Sequence, residues 1–179
     1  MNYKHLNTEQ KYVMNIINKF LSEISSINIF CDMDGCLVDF LKQADSILGM
    51  PMNEFEKKYG KSSMWSILIK HGSKFWSEMD WLPGGQKLWK FILPYKPTIL
   101  SKPLNNNSSR IGKRIWIEKH LGKNIPYIFE PDKAKYADSK SILIDDDVRN
   151  VYPWKKAGGI AILHQNANET IGKLKNILR

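Results

Sequence analysis

Ile27-Asn28-Ile29-Phe30-Cys31-Asp32-Met33-Asp34-Gly35 reads as an apolar strand that stops in two carboxylates one residue apart. Side chains alternate along a strand, so Asp32 and Asp34 set out on the same side of the chain. Gly35 permits a sharp turn directly after them. Two acids at the end of a buried strand need a compensating partner, and a divalent cation is the simplest. An aspartate held there can also attack an electrophile. Taken alone, the stretch has a plainer alternative, an acidic turn after a strand.

The second half of the chain bears on that choice. Ser141-Ile142-Leu143-Ile144 is another apolar run, and it ends in Asp145-Asp146-Asp147. Three acids at the end of a second buried strand, beside Asp32 and Asp34, suggest one shared metal site. Between the two runs, Pro97-Thr98-Ile99-Leu100 ends in Ser101, and Lys135 precedes Asp145.

Strands are expected near 27–31, 97–101, 126–129, 141–144 and 159–163, with helices over about 108–121, 148–156 and 168–178. Strands alternating with helices predict an α/β fold, a parallel sheet flanked by helices on both faces. Such sheets bind ligands at the carboxyl ends of their strands, where Asp32, Ser101 and Asp145 are expected. Residues 8–25 form an amphipathic helix, with Tyr12, Val13, Ile16, Ile17, Phe20, Leu21 and Ile24 at helical spacing. Its expected role is packing ahead of the first strand; a homodimer contact is the alternative. Residues 40–95 break the pattern with short helical stretches punctuated by Gly49, Pro51, Gly60, Gly72 and Pro83-Gly84-Gly85.

A chain of 179 residues with 42% hydrophobic and 25% charged residues suits one domain with a real core. No apolar run is long enough to cross a membrane, and no signal-type block follows Met1, so a cytoplasmic location is expected. The two cysteines, Cys31 and Cys36, flank the acid pair, where a disulfide would strain the turn; reduced, buried thiols are expected. The four histidines are scattered, which argues against a zinc site. A formal charge of +9 suits anionic partners such as nucleotides, sugar phosphates or nucleic acid, and equally suits plain solubility.

The series Asp32-Met33-Asp34-Gly35, Ser101, Lys135, Asp145-Asp146 resembles the four motifs of the haloacid dehalogenase superfamily of phosphotransferases, over about residues 27–165. The resemblance implies a Rossmann-like core of residues 27–39 and 96–179, a small helical cap at 40–95 after the first strand, and an N-terminal appendage at 1–26. Dehalogenases of the superfamily lack the second aspartate of the first motif, so Asp34 favours a phosphatase. By the same resemblance Asp32 is the nucleophile and Asp34 the acid and base. Mg2+ is held by Asp32 and Asp145, the Asp34 backbone carbonyl, and Asp146 directly or through water. Ser101 and Lys135 bind phosphate, with Lys133 as a rival at less typical spacing. Asp147 is expected to cap the helix from Val148.

Further segments are similar to the deoxyribonucleotidases that remove a 5′-phosphate from pyrimidine deoxynucleotides. They are Asp34-Gly35-Cys36-Leu37-Val38-Asp39-Phe40, Leu82-Pro83-Gly84, Ser101-Lys102-Pro103 and Lys113-Arg114-Ile115-Trp116-Ile117-Glu118-Lys119. Lys102 replaces the family's second residue of Thr-Ser-Pro, which alters the expected phosphate contacts. Lys113 is either a second phosphate contact or a solvated charge. Phe40, Trp65, Phe75, Trp76 and Trp81 offer aromatic faces for a base, with Phe40 and the Phe75-Trp76 pair preferred; cap packing is the alternative for each. The expectation is a magnesium-dependent 5′-nucleotidase acting on a nucleoside monophosphate. The alternatives are a phosphatase of another small metabolite or of a DNA end, and a non-catalytic binding module. A DNA end would use the basic track Arg110, Lys113, Arg114, Lys119 and Lys123, but the 40–95 segment should obstruct a duplex.

Overall fold

The computed structural model describes residues 7–24 and 27–178. Helix α1 covers Thr8–Ile24, and strand β1 covers Asn28–Cys31. Five helices follow: α2 Phe40–Leu48, α3 Met52–Tyr59, α4 Lys61–Lys70, α5 Ser73–Ser77 and α6 Gly85–Ile92. Then come β2 Thr98–Ser101, α7 Asn107–His120, β3 Tyr127–Phe129, β4 Ser141–Asp145, α8 Val148–Lys156, β5 Ile160–Leu163 and α9 Ala167–Ile177.

The five strands form one parallel sheet in the order β3-β2-β1-β4-β5. The protein is therefore an α/β structure with a parallel sheet flanked by helices, as its alternating runs predict. Both faces are buried, which is why the strands read as nearly continuous apolar runs. Ile29, Cys31, Ile99, Ile142, Ile144 and Ile162 point to one face, against Leu88, Ile92, Trp116, Ile171 and Leu174. The alternate residues Leu100, Leu143 and Ala161 point to the other, where α8 supplies Val151 and Trp154. Each large apolar side chain so buried is worth about 1.5–3 kcal/mol.

The register fixes the site. Cys31 pairs with Ile144 and with Ile99. Asp32 therefore leaves β1 level with the end of β4, donating its N–H to Ile144 O at 2.9 Å. The chain then folds back on itself, with the N–H groups of Cys36, Leu37 and Val38 all donating to Met33 O. Gly35 makes this turn at φ +71°, and a Cβ there would lie 2.1 Å from Asp146 Oδ2. Only glycine combines that backbone with that approach. Residues 80–82 strap the turn from outside, through Asp39 N–H to Asp80 O and Leu82 N–H to Leu37 O.

Helices α2, α3 and α4 pack on one another, α5 packs on α7 and α6 on α9. The α5–α7 contact is close because of Gly112, whose Cβ would meet Ser73 O at 2.3 Å. In α1 the described apolar side chains Tyr12, Val13, Ile16 and Ile17 are exposed, contrary to the packing role expected of them. Ser25, and the side chains of Phe20, Leu21 and Ile24, lie outside the described residues. No helix among the described residues is long and apolar enough to cross a membrane. Cys31 and Cys36 are free and buried, and burial pushes both thiols well above their ordinary pKa.

Candidate active site

Asp32, Asp145 and Asp146 each bring one carboxylate oxygen within 4.8 Å of the others. Asp32 is carried by the end of β1, Asp145 by the end of β4, and Asp146 by the turn that follows. One cation is built into the group. Lys133 is 2% exposed, and its Nζ lies 2.9 Å from Asp32 Oδ1 and 2.6 Å from Asp145 Oδ2. Burial alone would lower the Lys133 pKa, but Asp32 and Asp145 outweigh it and hold the ammonium above its ordinary value.

Spacing assigns the site lysine to Lys135; the structure puts Lys133 there instead. Both lie in a short 3₁₀ turn, Lys133–Tyr136. That helix has three residues per turn, so positions two apart face different directions and only one of the two can enter the site. Lys135 points outward, its side chain 59% exposed, and pairs with Glu130 at 3.2 Å.

One ammonium does not neutralise three carboxylates. Burial first, and then repulsion from Asp32, raises the Asp145 pKa against the opposing pull of Lys133 and Asn150. Withdrawal from bulk water and repulsion from Asp32 and Asp145 push Asp146 up to about 7. Asp32 Oδ1 is buried, with only the ion-pair contact to Lys133. A surplus of hard oxygen donors with unmet charge suits Mg2+. The Asp34 carboxylate stands outside this group, turned towards Lys113.

Lys113 is 1% exposed, so it is not a solvated charge. Its Nζ donates to Asp34 Oδ2 at 2.5 Å and to Ser101 Oγ at 3.1 Å. Ser101 is buried at the end of β2. Asn150, one turn into α8, was not singled out by the sequence; its Nδ2 donates to both oxygens of Asp145, at 3.0 and 3.2 Å. Its only sequence signal is an amide one helical turn after the acid run. Asp147 caps α8 through Arg149 N–H and also binds the Arg149 guanidinium.

These groups border a cavity of about 640 Å³, lined among others by Asp32, Asp34, Lys133, Asp146 and Asn150. A smaller recess of about 230 Å³ is lined by Asp34, Phe40, Trp65, Trp76, Lys102, Leu104 and Lys113. Asp34, Phe40 and Lys102 line both. Phe75 lines neither; it is 1% exposed and packs edge-on between Phe40 and Trp76.

No family model matches the chain, and no curated protein matches it. It is similar to solved structures that are hydrolases of the haloacid dehalogenase (HAD) superfamily. One is a HAD hydrolase, family IA, variant 3, from Entamoeba histolytica, at 14% identity and a TM-score of 0.47, over 85% of this chain and 99% of that one. A haloacid dehalogenase-like hydrolase from Streptococcus pneumoniae shares 16% identity at a TM-score of 0.49, over 76% of this chain and 84% of that one. A HAD family enzyme from Bacteroides thetaiotaomicron, in complex with magnesium, shares 14% identity at a TM-score of 0.49, over 83% and 98%.

Proposed function

We propose that the chain is a magnesium-dependent phosphatase of the haloacid dehalogenase superfamily, hydrolysing (deoxy)nucleoside 5′-monophosphates through an aspartyl-phosphate. The observation that carries this reading is the convergence of Asp32, Asp145 and Asp146 at the carboxyl ends of neighbouring parallel strands, with Lys133 buried against two of them. Asp32 attacks phosphorus while the bond from phosphorus to the leaving oxygen breaks. A proton from Asp34 passes to that oxygen and frees the alcohol. Water then attacks the phosphoryl group and gives its proton to Asp34; the bond to Asp32 breaks and phosphate departs. Lys133 offsets charge on Asp32 and on the phosphoryl oxygens. Asp32, Asp145 and Asp146 would hold magnesium, which when bound relieves repulsion between carboxylate and phosphate.

The two cavities support the nucleotide. Asp34 lines both, so a leaving group protonated there would extend into the recess walled by Phe40, Trp65 and Trp76. A planar base stacks well on such faces. In this reading residues 40–95 are the cap that selects substrate. The DNA-end alternative is weakened because Lys113 is buried and leaves the surface track. Another small phosphate ester would differ only in its leaving group.

The test is phosphate release from ribo- and deoxynucleoside 5′- and 3′-monophosphates and from generic esters, with magnesium or chelator, for wild type and Asp32→Asn. Magnesium-dependent release from 5′-monophosphates, abolished in Asp32→Asn, is expected. Release from generic esters alone removes the nucleotide and keeps the chemistry; release from none removes the phosphatase.

A further inference from the structure

Two buried lysines divide the acids between them. Lys133 serves Asp32 and Asp145, whereas Lys113 reaches Asp34 and Ser101. A buried ammonium is costly unless paired, so Lys113 depends on the partner it has. Its place is set by the fold. It shares the buried face of α7 with Ser109, Gly112, Trp116 and Ile117. Gly112 lets α5 close over that face, and Trp116 Nε1 donates to Met79 O at 2.8 Å. The other Asp34 oxygen, Oδ1, is buried without a hydrogen-bond partner.

We propose that Lys113 is a positioning residue for Asp34 rather than a contact to phosphate. It clamps Oδ2 and leaves Oδ1, whose hydrogen-bonding need is unmet, to face the ester oxygen. This rests on the phosphatase reading above. Asp34 gives its proton to the leaving oxygen as the phosphorus–oxygen bond breaks, and recovers one from water when the aspartyl-phosphate is hydrolysed. A clamp matters where the leaving oxygen needs a proton. Where the leaving group departs as a stable anion, formation of the aspartyl-phosphate does not need the clamp, and only its hydrolysis does. A phosphate contact would matter equally in both cases.

The experiment compares wild type, Lys113→Met, Lys113→Arg and Asp34→Asn on the best alkyl ester of the panel and on p-nitrophenyl phosphate. With Lys113→Met, kcat on the alkyl ester should fall on the order of 10²-fold with little change in KM. The p-nitrophenol burst should keep its rate while the steady state slows, because aspartyl-phosphate hydrolysis still needs Asp34. Adding Asp34→Asn to Lys113→Met should cost no more than Asp34→Asn alone, since the two act as a unit. A p-nitrophenol burst slowed as much as alkyl-ester turnover, or a raised KM and weaker inhibition by inorganic phosphate with kcat kept, overturns the clamp. Should Lys113→Met fail to fold, Lys113→Arg decides by the same split between burst and alkyl-ester turnover. A wild type active on no ester would remove the phosphatase reading; an active wild type without the split removes only the clamp.

Discussion

Replacing Lys133 with methionine separates the buried lysine from the one that sequence spacing favours. Lys133 Nζ contacts Asp32 at 2.9 Å and Asp145 at 2.6 Å, and the residue is 2% exposed. Removing one side of a buried ion pair costs about 3–5 kcal/mol, because the charges left behind have no compensation. A domain of this size loses about 2–4 °C of melting temperature per kcal/mol, so the metal-free protein should melt roughly 6–20 °C lower. Losing a preorganised charge beside Asp32, the proposed nucleophile, should also lower kcat about 10²–10³-fold. Lys135→Met removes only an exposed, solvent-screened pair with Glu130 and should leave both the melting temperature and kcat unchanged. The assay is a thermal melt in chelator together with turnover in magnesium, for both variants. If Lys135→Met loses turnover while Lys133→Met melts and turns over like wild type, the assignment of the site lysine is wrong.

Gly35→Ala puts a methyl group 2.1 Å from Asp146 Oδ2 at φ +71°, so it should cost about 1–3 kcal/mol and raise the magnesium needed for half-activation about tenfold. An unchanged magnesium requirement would take Asp146 out of the ion's surroundings. Gly112→Ala presses on Ser73 O and on Trp76 Cβ, at 2.3 and 2.8 Å. It should cost about 1–3 kcal/mol and raise KM for nucleotides more than it lowers kcat; melting curves and steady-state kinetics read both, and an unaltered KM would detach Trp76 from substrate binding. His164, buried against Thr170, is held below its ordinary pKa of 6.5 by burial and then by Lys173. Below about pH 6.5 the unfolded chain takes up this proton before the folded one, so stability present above that pH is lost as pH falls towards the lower folded value. Melting temperatures at about pH 7.5 and 5.5 should drop less for His164→Gln than for wild type; equal drops would remove His164 as a cause.

The framework was legible because the sequence states it twice, in Ile27–Asp32 and Ser141–Asp145, each an apolar run closed by acid. Parallel pairing then brings the two ends level with little further instruction. Orientation was harder to read. Lys133 and Lys135 sit two residues apart in a tight turn, and spacing along the chain says nothing about which one faces inward. Lys113 left a signal in its helix, since it lies three and four residues before the buried Trp116 and Ile117. A lysine on such a face implies a buried partner as readily as a solvated charge. Phe75 and Trp76 are neighbours with opposite duties, one sealing the core of the helical segment and the other lining the recess. Adjacent residues on a helix diverge by about 100°, so a preferred aromatic pair becomes one wall and one packing residue.

The central strand of the sheet is also the first to be made. β1 needs β2 on one side and β4 on the other, and both come from much later in the chain. A chain emerging from the ribosome therefore carries an apolar strand with open hydrogen-bonding edges until residues 141–145 arrive. Closing such long-range contacts is slow compared with forming helices. Asp32 meets Asp145 only when that closure is complete, so chains interrupted before β4 should aggregate and lack affinity for magnesium. On the phosphatase reading, affinity for magnesium first arises when β4 pairs with β1, with β5 still to be added to the sheet.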